Sequence, residues 1–320
     1  MQSIIDKLTN NLVVAAFVPS VVFCTAGILI FQPQMSSAVI RSIIDVYQGL
    51  GLFFLFVAFT ISLFLVYSRE LIYEMYKGSY FPKSFSWFEK RNAHKSMQKI
   101  RMLRQQIQEL EQQNPYPQQI VSSLKNDLYD LIVVYQSNFP SDGRIVPTRL
   151  GNILRSAEDC IAARHNLDPI PLWPNLVQVL PASAYQQIEN AFNQMSLLVN
   201  FSLLAFCFFI ACDVSAITTY ANQAIWQEKY IIAAIISFGL FYVFYVASLP
   251  IAKYYSKMYC SAFHLYRFEV LKQMQLALPN DSDDEEIIWK KVSELLAVGK
   301  EFGELYFEYN HTKSPDDRGK

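Results

Sequence analysis

Residues 197–217, L-L-V-N-F-S-L-L-A-F-C-F-F-I-A-C-D-V-S-A-I, carry a single charged side chain, Asp213. About 20 consecutive apolar residues suffice for a helix to cross hydrocarbon, so this run reads as a membrane span. Three further runs have the same character, at 12–31, 50–67 and 230–249; the last contains I-I-A-A-I-I-S-F-G-L-F-Y-V-F-Y-V-A (231–247). Helices buried in a soluble core are usually shorter than these, and four of this length sharing one acid would be unusual in such a core. The first run follows Lys7, as a signal peptide would, but it is longer than a typical apolar signal core. No A-x-A site follows it, and Phe23 stands before Cys24 where a lipobox needs a small residue. It is read as a retained span.

Composition agrees. Of the 320 residues, 52% are hydrophobic and only 17% charged, against about 25% in ordinary soluble domains. Mean hydropathy is positive. The net charge of −1 conceals a strong segregation of charge along the chain. Five cysteines, Cys24, Cys160, Cys207, Cys212 and Cys260, are an odd number without C-x-x-C spacing, which argues against a disulfide framework or a zinc site.

Lysine and arginine placement gives the orientation. Basic residues crowd the stretch after the second run, from Arg69 to Arg104, and recur after the fourth at Lys253, Lys257 and Arg267. The short loops 32–49 and 218–229 hold one each, Arg41 and Lys229. Both termini and the 68–196 insert are therefore expected in the cytoplasm. The fold class predicted is all-α: four transmembrane helices in two pairs (1–67 and 197–250), a cytoplasmic helical domain (68–196) and cytoplasmic C-terminal helices (251–320).

Within the insert, Ala93, Met97, Ile100, Leu103, Ile107 and Leu110 recur at steps of three and four, a heptad-like seam. N-P-Y-P (114–117) interrupts it, and Ile120, Leu124, Leu128, Leu131 and Tyr135 form a second stripe. An antiparallel hairpin over about 87–137 is the expectation, with an intersubunit coiled coil as the competing reading. The second and fourth runs lack a breaker at their inner ends and are expected to extend into the cytoplasmic part. D-S-D-D-E-E (281–286) opens a further helix, its carboxylates complementing the helix dipole, with Ile288, Val292, Leu295, Phe302, Tyr306 and Tyr309 on one face.

Catalytic signatures such as G-x-x-x-x-G-K-[ST], G-x-G-x-x-G, G-x-S-x-G and H-E-x-x-H do not occur in the sequence. The four histidines, His94, His165, His264 and His311, are scattered and read as surface or packing residues. No cofactor or metal is expected, and the chain is read as a non-enzyme. The basic stretch 83–104 is better explained as a positive-inside flank facing anionic lipid than as a nucleic-acid surface.

The polar candidates lie in P-T-R-L-G-N-I-L-R-S-A-E-D-C (147–160). Its apolar residues space as an amphipathic helix over about 148–165, with Thr148 placed to cap it and Arg155 and Asp159 four apart, able to pair. Arg149, Asn152, Arg155, Glu158, Asp159 and, further on, Trp173 are the candidates for docking a ligand or partner. D-P-I-P-L-W-P-N-L (168–176) is expected to be a rigid elbow. The combination of T-R-L-G-N-I-L-R-S-A-E-D (148–159) with L-D-P-I-P-L-W-P-N-L (167–176) resembles a motif of uncharacterised bacterial multi-span membrane proteins. That likeness covers about thirty residues; His165 and Asn166 stand where the motif has an aromatic residue and glycine. It implies a bacterial inner-membrane setting and no particular activity. Inside the spans, Asn200 and Asp213 are the candidates for a pore or ion pathway. The functional expectation is an oligomeric membrane protein whose cytoplasmic domain docks a protein partner or couples a signal; the alternative is a channel subunit.

Overall fold

The computed structural model describes residues 15–27, 30, 55–112, 117–224 and 226–298. The ends of the first run, the 32–49 loop, most of N-P-Y-P and the face at Phe302, Tyr306 and Tyr309 lie outside the described residues. Among those described the chain is helical, without a β-strand. Its helices are α1 (Ala15–Gly27), α2 (Leu55–Tyr67), α3 (Arg69–Tyr76), α4 (Trp87–Glu111), α5 (Gln118–Asn138), α6 (Arg149–His165), α7 (Pro169–Val179), α8 (Ala182–Gln223), α9 (Glu228–Gln273) and α10 (Ser282–Val298). They fall into two units, one of Met1–Tyr80 with Asn190–Ala252, the other of Phe81–Glu189 with Lys253–Lys320.

Among the described residues two helices, α8 and α9, are long and apolar enough to cross a membrane, where the sequence predicts four such spans. A third candidate exists if α2 and α3 are counted together, but they meet at a bend of 65°. The straight inner extension expected there is therefore not formed. The bend falls at Ser68, and it accompanies contacts made by the next turns: the Arg69 guanidinium lies 4.0 Å from the Phe192 ring centroid and the Tyr76 hydroxyl is 3.0 Å from Ser202 Oγ. α1 is apolar but shorter in its described part.

α8 contains neither glycine nor proline, and two of its hydroxyls are turned onto its own backbone: Ser215 donates to Ala211 O at 2.8 Å and Thr218 to Val214 O at 2.9 Å. α9 tolerates Pro250 inside it and remains one helix from Glu228 to Gln273, so it carries both the 230–249 apolar run and the residues that build the second unit's core. In the first unit the packing is aromatic: Phe201 stacks on Phe244 at 4.8 Å and Phe23 meets Phe208 at 6.1 Å.

In the second unit α4 and α5 lie against each other, tied across by Lys125 and Glu111 at 2.8 Å, with Ala93, Ile100 and Ile107 buried along the seam. The core proper gathers Ile161 of α6, Leu172 and Leu176 of α7, Phe263 and Leu271 of α9, and Trp289 and Val292 of α10. The stretch 168–176 is helical rather than an elbow. Asp168 caps it, its Oδ1 accepting from Ile170 N at 3.0 Å, and Pro169 and Pro171 fall in the first turn, where a missing N–H costs nothing. Only Pro174 lies deeper in the helix. α10 begins as its acidic run predicts, with Asp281 Oδ1 accepting from Asp284 N at 2.8 Å.

Candidate functional site

α6 organises the polar chemistry of the second unit. Thr148 is extended and accepts from Gly151 N at 3.1 Å, supplying a partner for one of the helix's unpaired N–H groups. At the other end Asn166 adopts φ 50° and its N–H reaches Ala162 O at 2.8 Å. Asparagine tolerates this left-handed geometry better than most residues, and Arg164 places positive charge on the last turn. Almost every residue from Leu150 to Ile161 is buried or half-buried, so this helix is a core element with polar side chains folded inward.

Each docking candidate has an intramolecular role. Asn152, fully buried, brackets Val146: Val146 N donates to its Oδ1 at 2.8 Å and its Nδ2 donates to Val146 O at 3.0 Å. Glu158 and Asp159 share the Arg144 guanidinium, and Asp159 Oδ2 also accepts from Ser141 N at 2.6 Å. The Arg155–Asp159 pair allowed by their spacing gives way to this arrangement, and Arg155 Nη1 donates to Arg144 O at 3.2 Å. Two carboxylates one after the other on a helix exceed what one i, i+4 partner could neutralise, and Arg144, arriving from the preceding segment, reaches both. Burial opposes its charge, but Asp159 and Glu158 outweigh that and hold its proton more tightly than usual.

Arg149 lies 3.7 Å from Glu89 of α4, whose side chain is 7% exposed. Burial pushes the Glu89 carboxyl upward, against the pull of Arg149 and of hydrogen bonds from Asn152 and Asn92. Trp173 packs in the core's edge, 4.9 Å from the Tyr259 ring and 6.2 Å from Phe263. The six candidates therefore do not converge on one cavity; five of them close the 139–148 segment and α4 onto α6, and Trp173 packs α7 on α9.

A second polar cluster was not legible. His165 Nε2 is 2.7 Å from His264 Nδ1, and His165 Nδ1 is 3.1 Å from Glu285 Oε1. Arg164 Nη1 lies 2.9 Å from His264 Nε2, and Arg267 Nε donates to Glu285 Oε1 at 2.7 Å. The two histidines are 99 residues apart in the chain, and no local spacing announces their meeting. Burial and the neighbouring arginines lower both imidazoles; Arg267, outweighing burial, lowers Glu285. Nearby, Cys160 and Cys260 are both free thiols in hydrogen-bond contact, and Cys260 Sγ is 3.6 Å from Ala157 O. That contact lowers the Cys160 thiol and raises that of Cys260. Among the described residues no group of three or more His, Cys, Asp or Glu side chains is placed to hold a metal.

In the first unit Asn200 is buried and donates to Ala15 O at 3.1 Å, joining α8 to α1. Asp213 lines an otherwise apolar groove of about 550 Å³ with Phe209, Trp226, Ile231 and Phe238 among its walls. The two pore candidates thus do not share a site: one carries a helix contact, the other borders a lateral groove.

Exposed apolar side chains occur in the second unit as well. Phe81, Phe85, Trp87 and Phe88 are 47–67% exposed in one short stretch, and Tyr129, Val133 and Val134 are exposed on α5. Comparison with protein-family models, with curated proteins and with solved structures returns no match for this chain.

Proposed function

We propose that this is a non-enzymatic, oligomeric multi-span protein of a bacterial inner membrane, with both termini inside, whose helical unit docks a protein partner or passes a signal to the membrane. The observation that carries this reading is α9: one unbroken helix holds the apolar run 230–249 and then Tyr259, Phe263, Val270 and Leu271 of the second unit's core. A change in how that core packs acts on the same helix that carries the apolar run. The four-span topology rests on the runs at 12–31 and 50–67 in addition to α8 and α9. The aromatic stretch at Phe81–Phe88, followed by Lys90 and Arg91, suits the interface of an anionic leaflet, where aromatic rings and basic groups are both favoured. α5, with Tyr129, Val133 and Val134 outward, is the face offered to a partner or a second copy.

The test is a photo-crosslinking residue at position 129 in the full-length protein in cells. A discrete crosslinked species, abolished when Val133 and Val134 are changed to lysine, supports docking through α5. A crosslinker that yields the monomer alone contradicts it. Asp213, an acid on an apolar wall, keeps a channel subunit as the second reading. Current through bilayers containing the purified protein, altered by Asp213→Asn, would favour that reading over the first.

A further inference from the structure

Hydrogen positions in the histidine cluster follow from its partners. A guanidinium only donates, so Arg164 Nη1, 2.9 Å from His264 Nε2, requires a lone pair on that nitrogen. A neutral His264 then carries its proton on Nδ1 and donates to His165 Nε2 at 2.7 Å. His165 in turn must be protonated on Nδ1, and it donates to the Glu285 carboxylate at 3.1 Å. Arg267 closes the row, with Nε on Oε1 at 2.7 Å and Nη2 on Oε2 at 3.4 Å, and its Nη1 donates to His264 O. Every donor in the sequence Arg164, His264, His165, Glu285 meets one acceptor, and only one pair of tautomers allows it.

We propose that the His165–His264 pair is a binding site for a single proton, and that taking up this proton expels Arg164. The charges acting on the two rings are Arg164 from α6, Arg267 from α9 and Glu285 from α10. Glu285 lies against His165, so the imidazolium forms there. For His165 to gain a proton on Nε2, His264 passes over its Nδ1 proton along the 2.7 Å contact and takes one from solvent on Nε2. That nitrogen is then a donor facing another donor, and Arg164, exposed at the surface, swings away. The protonated pair stays hydrogen-bonded, His165 stays on Glu285, and the link from Arg164 to α9 is lost. A second proton would put adjacent imidazolium rings beside Arg267 and is opposed. The cluster is thus a one-proton device that frees a guanidinium at the C-terminal turn of α6 when the surroundings acidify. It stands on this geometry whether or not the second unit docks a partner.

Nitrogen-15 NMR of the full-length protein, histidine-labelled in a His94→Gln, His311→Gln background, tests it between pH 8 and 5. At pH 7.5 both remaining rings should be neutral with the proton on Nδ1, and acidification should add one proton to the pair below the ordinary histidine midpoint of about 6.5. Arg164→Ala should move that midpoint up by about one pH unit, and Arg164→Lys should restore it. Either ring with its proton on Nε2 at pH 7.5, two independent titrations near the ordinary value, or a midpoint indifferent to Arg164→Ala would overturn the proposal. Because Arg164 is exposed, its replacement leaves the core untouched, and a folded Arg164→Ala protein is expected.

Discussion

The two units of this chain are held together by different chemistry. In the first, rings and small residues meet, the buried polar side chains are neutral, and several hydroxyls bond to carbonyls of their own helix. In the second, a core of ordinary apolar residues is edged by charge that is mostly buried or half-buried: Glu89 with the exposed Arg149, Arg144 with Glu158 and Asp159, and His165 with His264, Glu285 and Arg267. A buried asparagine occurs in each. Asn200 in the first unit makes one helix-to-helix contact, while Asn152 in the second satisfies both polar groups of Val146. The lesson is that one residue type is worth different amounts in the two places. Where the backbone is already satisfied by long helices, an amide adds a little; where the chain leaves helix, it replaces secondary structure.

Substitutions can break that contrast. Asn152→Ala should cost about 3 kcal/mol, since it strands the N–H and carbonyl of buried Val146 together; equilibrium unfolding in mixed micelles would reveal it. A loss below 1 kcal/mol would mean that water substitutes there and that the second unit is less specifically built. Next, Asn166→Val should destabilise by about 1–2 kcal/mol through the left-handed backbone at φ 50°, whereas Asn166→Gly should be near neutral, both measured by thermal shift. In the first unit Asn200→Ala should cost only about 0.6 kcal/mol, typical of a hydrogen bond between membrane helices. A cost matching Asn152→Ala would erase the distinction between the units.

The smallest effect concerns Glu89. Burial holds its carboxyl above the usual range, so the folded chain binds that proton more tightly than the unfolded chain does. Wild-type stability is therefore reduced by this group as pH rises from about 4.3, the ordinary glutamate value, through the raised folded one. Glu89→Gln should be more stable than wild type at pH 7 and equal to it near pH 4. An advantage independent of pH would show that Glu89 is not the group responsible.

Legibility in the sequence divides along the same line. The runs at 197–217 and 230–249 announce α8 and α9, because apolar composition over 20 residues is a local property. The seam from Ala93 to Leu110, the start of α6 at Thr148 and the start of α10 at the acidic run are local too. Three prolines in 168–176 read as a break in sequence, although two of them fall where a helix tolerates them. The 65° bend at Ser68 has no breaker to mark it; contacts from Arg69 and Tyr76 to distant residues accompany it. Glu89, Arg144 and the histidine pair went unrecognised for the same reason: their partners come from 14 to 120 positions away, and a charge seen alone in sequence looks solvated. The spacing of Arg155 and Asp159 predicts a local pair, and Arg144 takes the place of Arg155 in it.

We propose that α8 and the apolar run of α9 lie in a bilayer and that α5 is on its cytoplasmic side. Single cysteines at positions 222, 235 and 125, in a protein otherwise free of cysteine, can be probed with a membrane-impermeant maleimide on intact and then permeabilised cells. Asn222→Cys should label from outside, Lys125→Cys only after permeabilisation, and Ile235→Cys, on the exposed apolar face of α9, in neither case. Labelling of Ile235→Cys as readily as Lys125→Cys, or of Lys125→Cys in intact cells, would contradict the account.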